Sequence, residues 1–76
     1  MSLRTFLKNK SDTEMIQALH DYELFKKQGF IGDCVLRSIV EQYCTKIESQ
    51  NITLWMNQVA FESYRRFALK YLEEAL

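Results

Sequence analysis

A chain of 76 residues holds one domain and no more, so residues 1–76 are read as a single unit. Ten Lys and Arg balance ten Asp and Glu, and 47% of the residues are hydrophobic, too apolar a mixture for a disordered chain. The zero formal net charge gives no reason to expect bulk nucleic acid as a partner. No apolar run approaches the roughly 18 residues that span a membrane.

Residues 2–8 read as a short helix or turn, capped by Ser2 and anchored by Leu3 and Phe6. A polar break over Lys8-Asn9-Lys10 leads to Ser11-Asp12-Thr13-Glu14, a capping box in which serine and glutamate each satisfy the other's backbone N–H. Acids in this first turn and Lys26 and Lys27 in the last complement the helix dipole. Gly29 suits a left-handed C-cap, with Phe30 expected to fold back against the helix. The helix is placed at about 12–28, with Met15, Ala18, Leu19, Tyr22 and Phe25 as its inward stripe.

The third segment, about 33–49, shows the clearest helical period. Val35, Leu36, Ile39, Val40, Tyr43, Cys44 and Ile47 fill one half of the wheel, with Asp33 as the expected N-cap. The fourth runs from about 53 to 74 with Thr53 as its expected cap. Its stripe is Met56, Ala60, Tyr64, Phe67, Ala68, Tyr71 and Leu72. No strand-like alternation is present. The expected fold is a small all-α antiparallel bundle of three main helices plus the N-terminal piece, since connections of about 3–5 residues favour antiparallel neighbours.

Catalysis is not expected. His20 is the single histidine, with Glu23 three residues on as a group that could orient it. Cys34 falls in the first turn of the third helix, where N–H groups can activate a thiol, but Asp33 opposes this by like charge. Two cysteines are too few for a disulfide framework. If both lie on one helix, ten residues place them roughly 15 Å apart, beyond bridging reach. No zinc spacing, phosphate loop or nucleophile elbow is present, so no metal or cofactor is expected. No secretory signal is visible, because Arg4 and Lys8 interrupt Leu3 and Phe6. The asparagine sequon at Asn51 therefore carries no weight, and a reduced, cytoplasmic setting is expected.

Two helices carry more apolar residues than one inward stripe requires. Ile16, His20 and Leu24 recur at spacing four off the second helix's stripe. On the fourth helix Trp55 and Val59 lie off the stripe, with Arg66 below them. A chain this short has little interior to spare, so this surplus is expected to contact another protein or a second copy. Trp55→Ala is then expected to weaken association without unfolding the chain.

The alternative is a nucleic-acid-binding regulator using Arg4, Lys8, Lys10, Arg65, Arg66 and Lys70. A helix-turn-helix reading of the second and third segments is disfavoured, since Asp33, Glu41 and Glu48 would face the phosphates. The first ten residues carry +3 and residues 11–33 carry −3, a dipolar layout that suits docking to a protein or head-to-tail self-contact. A membrane-surface role is not expected, because the polar side of the last helix mixes acids with bases.

Overall fold

The computed structural model describes residues 2–47 and 51–75. It contains four helices: α1 (Leu3–Leu7), α2 (Asp12–Gln28), α3 (Val35–Ile47) and α4 (Ile52–Ala75). The three long helices pack against one another, and α1 lies against α4. Arg66 and Lys70 meet Asp12, while Asn57 meets Tyr22, so α2 and α4 run antiparallel. The expected all-α bundle is the fold. The expected continuation of the third helix to 49 lies outside the described residues.

Local chemistry accounts for most helix ends. The Ser2 hydroxyl accepts from the Thr5 N–H, and the Ser11–Glu14 capping box is formed in both directions. Gly29 adopts φ +81°, a left-handed cap that glycine enters without a Cβ penalty. Phe30 does not fold back: it is 64% exposed.

Two caps differ from expectation. The Asn51 carboxamide, not Thr53, accepts from the first turn of α4, at the Leu54 N–H. At α3 the residue before the helix is Cys34. Its carbonyl accepts from Ser38 and its sulfur from the Arg37 N–H at 3.5 Å. Asp33 lies one residue further out, with its side chain in solvent. The strong acceptor for α3 comes from another helix. The nearly buried Asp21 carboxylate of α2 accepts from the Leu36 N–H at 3.1 Å and from Gln17 at 3.1 Å. A helix N-terminus has orphan donors and a partial positive charge, so a carboxylate supplied from a neighbour serves as a cap.

The core is built from Leu3 and Leu7 of α1, Met15 and Ala18 of α2, Leu36, Ile39, Val40, Tyr43 and Cys44 of α3, and Met56, Val59 and Ala60 of α4. Ser63 is fully buried as well, its hydroxyl donating to the Val59 carbonyl at 2.9 Å. This back-bond to the preceding turn satisfies the polar group without any partner from outside the helix. Phe6, Tyr43 and Trp55 form an aromatic chain across α1, α3 and α4, with ring centroids 5.3 and 5.0 Å apart. The Lys10 ammonium lies 5.1 Å above the Phe6 ring.

Candidate functional site

The sequence places one candidate patch on α4 and another on α2, and the two fare differently. Val59 is fully buried and belongs to the core. Trp55 is half-buried, packed edge-on against Tyr43. Arg66 donates to the Leu7 carbonyl at 2.8 Å, the Lys10 carbonyl at 2.9 Å and the Asp12 carboxylate at 3.3 Å, which ties the chain between α1 and α2 to α4. Val59 is therefore corrected from an exposed contact residue to part of the monomer's own interior, while Trp55 and Arg66, both partly buried, also brace the monomer. The physical reason is register: α4 turns its Met56–Val59–Ala60–Ser63 side inward, not the Tyr64–Tyr71 side.

The α2 patch is open. Ile16 and Leu24 are each about half exposed, at 47% and 53%, and His20 is exposed beside them. Leu19, His20, Glu23, Leu24 and Lys27 line a shallow groove there. Glu23 does not orient His20. It accepts from the Tyr64 hydroxyl at 2.8 Å and pairs with Lys26 at 3.0 Å. The Tyr64 bond, with Lys26 second, holds the Glu23 carboxyl below its usual range, and the same bond raises the Tyr64 hydroxyl. This contact joins the outer face of α2 to that of α4.

The outer face of α4 is the feature the sequence pattern obscured. At 100° per residue, Leu54, Phe61, Tyr64, Ala68 and Leu72 fall within about 80° of the wheel, centred about 130° from the buried side. Phe61 is 61% exposed, and Leu54, Tyr64 and Leu72 are about half exposed. Helix α4 is thus apolar on two faces, of which the bundle buries one. The signal was available as the seven-residue spacing of Leu54, Phe61 and Ala68, together with that of Tyr64 and Tyr71.

The basic residues of the two chain ends do converge. Arg4, Lys8, Arg65 and Arg66 line a groove of about 470 Å³ between α1 and α4, together with Leu7, Met15, Glu62 and Leu69. Much of this charge is already engaged. Arg4 grips Glu62 through two bonds of 3.2 Å, so Glu62 pairs across helices and not with Arg66 along its own. Lys70 meets Asp12 at 3.2 Å, and Lys10 donates to Gln42 at 3.0 Å. Lys8 and Arg65 have no ion pair among the described residues.

The groups considered for chemistry are not brought together. His20 and Cys34 line different grooves, and both cysteines are free. Burial pushes the Cys44 thiol up from its ordinary range. No group of three His, Cys, Asp or Glu side chains with metal-binding geometry occurs among the described residues. No helix among them is long and apolar enough to cross a membrane. Comparison with protein-family models, with curated proteins and with solved structures finds no match for this chain.

Proposed function

We propose that this chain is a non-catalytic interaction protein that binds another protein through the adjoining outer faces of α2 and α4. The observation that carries this reading is the second apolar face of α4, centred on Phe61 and linked to Ile16 and Leu24 of α2 through the Glu23–Tyr64 bond. An exposed apolar patch rimmed by polar groups is the ordinary composition of a protein contact, and scattered single residues would not align this way. A regulatory role in the cytoplasm belongs to the same reading.

A photo-crosslinking amino acid at Phe61 tests it in the native host. The expected result is one discrete protein adduct, re-formed from purified components and lost when Leu24→Glu is added. A Phe61 probe that yields no adduct, while the protein is folded and abundant, overturns the reading.

The convergence of Arg4, Lys8, Arg65 and Arg66 on one groove favours a second reading, a small nucleic-acid-binding regulator, with Lys10 and Lys70 close by. It predicts a salt-sensitive gel shift that Lys8→Glu with Arg65→Glu abolishes. The internal engagement of four of the six bases weighs against it. So does the lack of an aromatic stacking platform among the groove's lining residues. No shift at low salt removes it.

A further inference from the structure

The last two turns of α4 outrun the helices it packs on. From Ala68 to Glu74 every residue is exposed, including Leu69 at 47%, Tyr71 at 70% and Leu72 at 55%. A helix surface facing water has no reason to carry this much apolar area. The same turns carry Glu73 and Glu74, neither of which has an ion pair among the described residues.

Beside this end runs the α1–α4 groove, whose lining carries four bases against one acid over an apolar floor of Leu7 and Met15. Arg65, on its α4 wall, is likewise without an ion pair among the described residues. The groove and the helix end therefore have complementary chemistry. Beyond Leu69 the helix end cannot turn back into the groove of its own chain, because it continues the same α4 helix that forms one groove wall.

We propose that the occupant of the groove is a second copy of this chain, with the two α4 ends packed antiparallel about a twofold axis near Leu69. The sequence along this face supports the pairing. Arg65, Leu69, Leu72 and Glu73 follow at spacings of four, three and one, which keeps them within a sector of about 100°. Reading basic, apolar, apolar, acidic in one direction, the stripe meets its own complement when reversed. A twofold axis requires this self-complementarity. Arg65 of each copy then faces Glu73 of the other, Leu69 meets Leu69, and Leu72 enters the groove beside Arg66.

This interface shares Leu72 with the outer face of α4 but not Phe61, which lies eight residues before the twofold axis and so beyond the end of the partner's α4, and the test keeps the two surfaces apart. Sedimentation equilibrium across the micromolar range is expected to show a monomer–dimer equilibrium that weakens as salt is raised. Arg65→Glu alone, and Glu73→Arg alone, should each weaken dimerisation about ten-fold or more while circular dichroism stays that of the folded helix bundle. Arg65→Glu combined with Glu73→Arg in one chain should restore the dimer, because the swapped charges again face each other. Phe61→Glu should leave the dimer unchanged. A wild-type monomer throughout, single swaps without effect, or a folded double swap that stays monomeric overturns the proposal. Loss of the dimer on Phe61→Glu overturns it too, and moves self-association to the outer face.

Discussion

Trp55→Ala is expected to lower the unfolding free energy by about 3 kcal/mol, the lower end for removing a packed aromatic. The ring is half-buried and edge-on to Tyr43 at 5.0 Å, in the chain of rings that also includes Phe6. Its loss opens a cavity where α1, α3 and α4 meet. A domain of 76 residues has roughly 4–11 kcal/mol to lose, so the change consumes a large part of the total. The corresponding fall in Tm is about 12–24 °C. Thermal unfolding followed by far-UV circular dichroism checks it, since the tryptophan signal is gone. A variant with wild-type Tm would show that the indole contributes little to the interior. The expectation reverses the one drawn from helical spacing alone, in which the same substitution spares the fold.

Asp21→Ala is expected to cost about 2–3 kcal/mol, because it leaves the Leu36 N–H unpaired at the buried start of α3. Asp21→Asn keeps an acceptor oxygen of the same shape and should cost less than about half as much, losing mainly the charge that the helix terminus favours. Urea unfolding of the two variants separates cap from charge. Equal losses for both would show that the negative charge, and not the acceptor, carries the interaction. No loss for Asp21→Ala would show that water satisfies the N–H instead.

Both predictions rest on packing that the linear pattern does not display, and the reasons differ. Trp55 and Val59 lie off the stripe that hydropathy selects on α4. That stripe mixed two faces: Met56 and Ala60 from the buried side, Tyr64, Ala68 and Leu72 from the exposed one. A helix with apolar residues all round offers periodicity no unique answer. Ser63 compounds the problem, since a polar residue reads as outward until its hydroxyl is seen to bond its own helix. Asp21 is an ordinary helix acid in the sequence. Its partner is fifteen residues away and belongs to a different helix.

The capping chemistry was legible because it is local. Ser2, the Ser11–Glu14 box and Gly29 satisfy backbone groups within four residues of themselves, and helix ends follow from such pairs whatever the rest of the chain does. The inward stripe of α3 was legible for a related reason. Its apolar residues occupy one face only, and Leu36, Ile39, Val40, Tyr43 and Cys44 are buried on it with Val35 at the edge, while the Ile47 side chain lies outside the described residues.

The all-α class and the four segments were therefore written into short stretches of the chain, where each residue answers to its neighbours. Which side of α4 turns inward was settled only when α2 and α3 came to lie against it, as was the meeting of the two basic ends at one groove. Those outcomes depend on distances between residues far apart in the chain, and a local pattern holds no record of them.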